Sequence, residues 1–270
     1  MTLVTLTTDF GTVDGYVGAM KGVIARIAPE AHVLDLTHDV PSQNVKTAAF
    51  ALYRAVPFYP AGTVHCAIVD PGVGTARRAL ALRTEDGQYL VGPDSGVFTL
   101  FLPPFSLSEP QAVELTASGW WRTPSEPSAT FHGRDVFAPV AAHLALLAAA
   151  GPVDLTRFGV PASGLTRFEM PEPAEDRDGW RGEVVSVDHF GNAVTNVPGR
   201  WIADASDGAM VEVGNHRMPI VRTYGDVPAG ELCALVGSSG WLEVAESEGS
   251  AAERLGLAPG IPVMVRRMDR

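Results

Sequence analysis

Leu3-Val4-Thr5-Leu6-Thr7-Thr8-Asp9-Phe10-Gly11 opens the chain with an apolar and β-branched run that stops at an acid and a glycine. Such a run predicts a buried strand. After it, Val17, Met20, Ile24 and Ile27 fall on one face of a helix that Pro29 ends. Residues 32–36 read as a second strand, 45–56 as a second helix closed by prolines, and 63–69 as a third strand ending at Asp70. Strand–helix–strand–helix–strand predicts a parallel sheet covered by helices. Residues 78–84 and 88–91, joined through Asp86-Gly87, predict a hairpin. An Ala-rich helix beginning near Asp135 closes this half.

Outward from that frame, residues 161–178 carry Pro161, Pro171, Pro173 and several acids with little apolar periodicity, which reads as a linker. From Gly182 onward the pattern turns to short strands separated by turns, predicting a barrel or sandwich. The expected architecture is an α/β N-terminal domain with a mostly parallel sheet over residues 1–160, a linker over 161–180, and a small all-β C-terminal domain over 181–270.

The 270 residues are 46% apolar and 19% charged, enough for a core and without the composition of a disordered chain. A formal charge of −11 disfavours nucleic-acid binding, which needs a basic face, and is compatible with a cationic small substrate. Cys66 and Cys233 make no disulfide framework, and no zinc-ligand spacing occurs, so no metal site is expected. The first ten residues lack the basic region of a secretory signal. The most apolar stretch, 136–153, contains Pro139 and His143 and reads as a buried helix rather than a membrane span. A cytoplasmic protein without membrane or nucleic-acid partners is expected.

Five segments carry groups suited to chemistry. Asp9, at the end of the first strand, lies where ligands bind in open parallel sheets, and its carboxylate can take both hydroxyls of a ribose; it can equally cap the next helix. Asp70-Pro71-Gly72-Val73-Gly74 ends the third strand on the same rim, with Arg77 just beyond the turn. An acid and a guanidinium there can orient a water, or form an ordinary surface ion pair. His132, in Phe131-His132-Gly133-Arg134-Asp135, is a proton acceptor near neutral pH, or a polar loop residue beside a helix capped by Asp135. Asp188, Phe190 and Asn192 offer an acid, an aromatic face and an amide within one turn, and Tyr224 a second ring. Gly237-Ser238-Ser239-Gly240 forms a turn whose donors can hold a carboxylate. Asp9-Phe10-Gly11 and His132-Gly133-Arg134-Asp135 are not kinase motifs: their order is reversed, a glycine interrupts the second, and the only lysines are Lys21 and Lys46.

Taken in order and spacing, these segments resemble the S-adenosylmethionine hydrolase family, the hydroxide adenosyltransferase branch related to the S-adenosylmethionine-dependent fluorinase and chlorinase. The resemblance runs from Thr5 to about Gly260. It implies an α/β domain and a β-barrel that assemble as a homotrimer, with each active site between one subunit's N-terminal domain and its neighbour's C-terminal domain. It implies that Asp9 binds the ribose, Phe190 and Tyr224 stack on adenine, Asn192 reads its edge, and Asp188 and Ser238 hold the methionine moiety. Asp70, Arg77 and His132 match the water-positioning triad of the hydrolase branch. Where the fluorinase has a tryptophan near the ribose and an arginine near methionine, this chain has Gln43 and Ser239.

The expected reaction is hydrolysis of S-adenosylmethionine to adenosine and methionine by in-line attack of water on the ribose 5′ carbon. The sulfonium already activates that carbon, so no metal or other cofactor is expected. The alternatives are a halogenase using chloride in the same pocket, and a non-catalytic adenosine or S-adenosylmethionine binding protein.

Overall fold

The computed structural model describes residues 2–202 and 208–267. Its contacts divide the chain into two units, Met1–Phe168 and Glu169–Arg270.

The first unit is a seven-stranded sheet in the order β2-β1-β3-β5-β4-β6-β7. Its strands are β1 (Leu3–Thr8), β2 (His32–Thr37), β3 (Val64–Ile68), β4 (Ala79–Arg83), β5 (Tyr89–Pro93), β6 (Gln111–Glu114) and β7 (Val160–Pro161). Helices α1 (Tyr16–Ile27) and α3 (Ala138–Ala148) share one core with Val4, Leu6, Cys66 and Ile68. Helix α2 (Val45–Ala55) shares a second core with Ala67, Val69, Leu80 and Leu82. Alternate residues of β3 therefore feed opposite cores, which is why that strand reads as a continuous apolar run.

The sheet is mixed, which corrects the expectation of a mostly parallel one. β1 pairs in parallel with β2 and β3, and β3 with β5. The pairs β4–β5, β4–β6 and β6–β7 are antiparallel. The physical reason is connection length. A parallel neighbour needs a crossover of about a dozen residues. The turn between Arg83 and Tyr89 is too short for that, so the chain must double back. The hairpin expected through Asp86-Gly87 is this one.

The stretch with linker composition is laid along structure at both ends. Arg78 donates to the carbonyls of Ser163 (2.9 Å) and Gly164 (2.8 Å), and Phe168 N donates to Thr99 Oγ1 at 3.1 Å. Residues Ala174–Asp176 form β8 in the second unit.

The second unit contains β9 (Gly179–Val187), β10 (Ala193–Pro198), β11 (Met210–Val213), β12 (His216–Pro219), β13 (Leu232–Val236), β14 (Trp241–Glu246) and β15 (Pro262–Arg266). Their order is β12-β11-β15-β9-β10-β14-β13, with β8 on β9. The first half of β9 pairs with β15 and the second half with β10, so one long strand serves both halves of the sheet. Gly179 sits at φ 141° with its α-carbon against the Val265 carbonyl, a place no side chain can occupy. The ends of the path meet through one parallel bridge, Ile220 to Ala234, so the sheet almost closes on itself around Val184, Val211, Leu242, Val244 and Val265.

His65 on β3 is wholly buried, its Nδ1 2.8 Å from Thr5 Oγ1 on β1. Burial pushes its pKa down to about 4. The unfolded chain, with an ordinary imidazole near 6.5, therefore binds a proton that the fold refuses between those values. Stability must fall as pH drops below 6.5. Urea unfolding at pH 5 should give about 2 kcal/mol less stability than at pH 7 from this group, and His65→Asn should flatten that slope.

Candidate active site

The C-terminal ends of β1 and β3 are neighbours, since Thr8 pairs with Ile68. Asp9 and Asp70 thus emerge side by side on one rim. Helix α1 starts at Tyr16 with Gly15 as its N-cap, so Asp9 does not cap it. Instead Asp9 Oδ2 accepts the backbone N–H of Gln43 at 2.7 Å.

Beyond Asp70 the chain turns tightly, with Val73 N donating to Asp70 O (3.3 Å) and Thr75 N to Gly72 O (3.1 Å). Gly74, at φ 77°, lies so close to the Ala129 carbonyl that a Cβ would collide with it. This contact brings the turn against the loop that carries His132. Arg77 folds back, and its Nε donates to Asp70 Oδ1 and Oδ2 at 2.8 and 3.0 Å. Its Nη2 reaches Asp70 Oδ2 and also His132 Nδ1, the latter at 2.8 Å. The side chains of Arg77 and Asp70 are 12% and 5% exposed, unlike a surface ion pair.

A guanidinium has only donors, so His132 Nδ1 must be the acceptor and the ring proton sits on Nε2. Burial, and then the Arg77 charge, hold the His132 pKa below its ordinary value, keeping the ring neutral. His132 leads into a π-helical turn, Gly133–Phe137. Within that turn the buried Asp135 carboxylate accepts from Arg122, Arg134 and Ser128 N. Asp135 is thus an anchor of the turn.

A cleft of about 310 Å³ runs along the rim, lined by Asp9, Gln43, Asp70 and His132 together with Phe10, Tyr16 and Phe131. The three rings stand edge to face with centroids 5.1–6.0 Å apart. Sequence reasoning missed them as a group; the signal was that Phe10 and Phe131 sit inside the two motifs. Ring faces of this kind attract cations.

The remaining predicted residues gather on the second unit. Asp188 Oδ1 accepts from Phe190 N and Asn192 N, both at 2.9 Å, and its Oδ2 accepts from Asn192 Nδ2 at 3.0 Å. Asp188 therefore organises its own turn. The turn leaves the Phe190 ring 73% exposed beside the buried Asn192. Tyr224 donates its hydroxyl to Glu243 Oε2 at 3.1 Å. Burial, reinforced by the Glu243 charge, pushes the phenol up to about 12. Ser238 lies in a turn closed by Gly240 N to Gly237 O at 2.9 Å. Asp188, Phe190, Asn192, Tyr224, Ser238 and Glu243 all line one cleft of about 1,040 Å³. Glu243 was not foreseen; its signal was an acid set between apolar neighbours in the middle of strand β14. Among the described residues no group of three His, Cys, Asp or Glu side chains is placed to hold a metal, and no helix is long and apolar enough to cross a membrane.

Residues 4–153 match the SAM hydroxide adenosyltransferase N-terminal domain, and residues 182–264 match its C-terminal domain. The chain is 47% identical over 262 residues to the (R)-S-adenosyl-L-methionine hydrolase of Thermus thermophilus, covering 94% of this chain and 96% of that one. It is 46% identical to the enzyme of the same name from Salinispora tropica, covering 95% of each. A fluorinase from an Actinoplanes species is more distant, at 26% identity over 98% of this chain and 97% of its own. Among solved structures, an uncharacterized conserved protein from Thermotoga maritima superposes with a TM-score of 0.87 at 37% identity, covering 98% of this chain and all of that one.

Proposed function

The chain belongs to the SAM hydroxide adenosyltransferase family, and from that premise we propose that it hydrolyses (R)-S-adenosyl-L-methionine to adenosine and L-methionine. The observation that carries the mechanism is the Asp70–Arg77–His132 hydrogen-bond chain. A water oxygen bonds to the ribose 5′ carbon while the carbon–sulfur bond breaks. The bonding pair moves to sulfur, and methionine leaves as a neutral thioether that needs no proton. What the protein must supply is an oriented water and a place for its proton.

The three side chains divide that work by their proton inventory. Arg77 has no acceptor, and the Nδ1 lone pair of His132 is taken by Arg77. His132 therefore offers its Nε2–H to the water oxygen, and with Arg77 it stabilises hydroxide character there. Asp70 is the acceptor of the set and takes the proton. This reading makes His132 a donor rather than a base. No metal or redox group is required by it.

Asp9 holds the ribose hydroxyls in this proposal. Phe190 and Tyr224 stack on adenine, Asn192 reads its edge, and Asp188 and Ser238 hold the methionine moiety. Glu243 and the turn acid add negative potential suited to a substrate that carries a sulfonium and an ammonium. The ribose and triad residues belong to the first unit and the base and methionine residues to the second. A homotrimer in the cytoplasm, with the rim of one subunit completed by the barrel of its neighbour, unites them.

The test is product analysis in ¹⁸O-water with and without chloride. Adenosine labelled on its 5′ oxygen and unlabelled methionine are expected in both buffers. A 5′-chloro product would make the enzyme a halogenase, and tight binding without turnover would make it a binding protein.

A further inference from the structure

At the end of β2 the chain delivers His38 beneath the Asp9 loop. Its side chain is 3% exposed, and the reaction described above does not use it. Its Nδ1 lies 2.8 Å from Thr8 Oγ1, and the same oxygen accepts the backbone N–H of Phe10 at 3.2 Å. Thr8 is wholly buried, and its hydroxyl pairs with His38 Nδ1 while the other ring nitrogen faces the Asp35 carboxylate, a pure acceptor, which favours the ring proton there. The hydroxyl therefore donates to Nδ1, and the ring proton sits on Nε2. Nε2 stands 3.0 Å from Asp35 Oδ1, in a contact bent away from the N–H direction. Asp35 Oδ2 in turn receives Lys21 Nζ at 2.7 Å. The backbone of His38 acts on the same loop, since its carbonyl accepts Gly11 N–H at 3.0 Å.

We infer that His38 is a positioning residue for Asp9. Through Thr8 it grips Phe10, and through its own carbonyl it grips Gly11, so the turn on either side of Phe10 is held from one buried point. Asp35 keeps the imidazole in the tautomer whose Nδ1 is free to accept. A histidine suits this place because its Nδ1 takes the Thr8 hydrogen and leaves the Thr8 lone pairs for the Phe10 amide. An apolar ring would strand a buried hydroxyl hydrogen, and the loop would relax to satisfy it. The inference rests on the reading that Asp9 binds the ribose.

Two substrates separate the inference from that reading: S-adenosylmethionine and its 2′-deoxyribose analogue. Asp9→Asn should abolish the preference for the ribose form. If that preference survives in Asp9→Asn, the ribose reading itself fails. His38→Phe should raise KM for S-adenosylmethionine about tenfold, the size of one misplaced hydrogen bond. It should also lose most of the ribose preference while kcat stays within about threefold. His38→Asn, whose side-chain oxygen can occupy the Nδ1 position, should restore both readouts. Thr8→Val, nearly isosteric, should behave as His38→Phe and carries the test if the phenylalanine variant does not fold. A lower melting temperature with KM and ribose preference unchanged would overturn the inference, as would failure of His38→Asn to rescue them.

Discussion

Asp70→Asn should lower kcat by about a thousandfold, within the range seen when a positioned proton acceptor is removed, and leave KM within a few-fold. The amide matches the carboxylate in shape, and its oxygen can still receive an N–H from Arg77, which holds both carboxylate oxygens at 2.8–3.0 Å through Nε. It cannot take a proton from water, and its NH2 turns a donor towards a site already supplied with donors by Arg77 and His132. Steady-state and single-turnover adenosine release measure the effect. A variant that turns over at the parental rate would remove Asp70 from the chemistry. The same variant reads out the subunit arrangement. Mixed with Asn192→Ala, which spoils the barrel side, it should recover about a quarter of the parental activity if each site joins two subunits in a ring. Sites built within single chains would recover none.

Asp135→Ala should cost about 2–3 kcal/mol of stability and impair turnover with it. The carboxylate is 1% exposed and accepts four bonds: from Arg122 Nε at 2.5 Å, Arg134 Nε at 2.7 Å, Arg134 Nη2 at 2.8 Å and Ser128 N at 2.9 Å. Arg134 and then Arg122 hold its carboxyl far below the usual carboxylate range. Because that pKa is depressed in the fold, the stabilisation is complete above the ordinary carboxylate value and is lost only as pH falls beneath it. The two guanidinium groups are 33% and 44% exposed, so water recovers part of what they lose, which keeps the cost below that of a fully buried pair. The effect on turnover follows from position, because Asp135 anchors the π-helical turn directly after His132. Urea unfolding at pH 7 checks the first effect, and a loss under about 1 kcal/mol would contradict it.

What the sequence makes legible is local. Periodicity and Pro/Gly punctuation located β1, β3 and the helices around them, and with them the strand ends from which Asp9 and Asp70 emerge. Asp86-Gly87 announced the hairpin. The antiparallel β4–β5 pair was legible in that short turn, but the further antiparallel pairs β4–β6 and β6–β7 were hidden, because strand order depends on which edges meet, and no window of residues encodes that. The Asp9 and Asp135 capping alternatives were equally sound as local readings. They fell because Gly15 took the N-cap of α1 and because Arg122, Ser128 and the adjacent Arg134 together hold the Asp135 carboxylate.

The sequence by itself determined the two-part architecture, the segments that carry polar chemistry and, through their joint order, the family. Only the tertiary structure decided what those groups can do. The Arg77–His132 contact spans 55 residues and exists because Gly74 lets one turn press against another. That contact occupies Nδ1 of His132 and leaves the ring proton to Nε2, which is the ground for proposing His132 as a donor. Asp188 organises its own turn as well as facing the cleft, and His38 acquires a role that no motif announced. Hydrogen-bond partners depend on distances of a few tenths of an ångström between segments far apart in the chain, and side-chain chemistry alone contains no such distances.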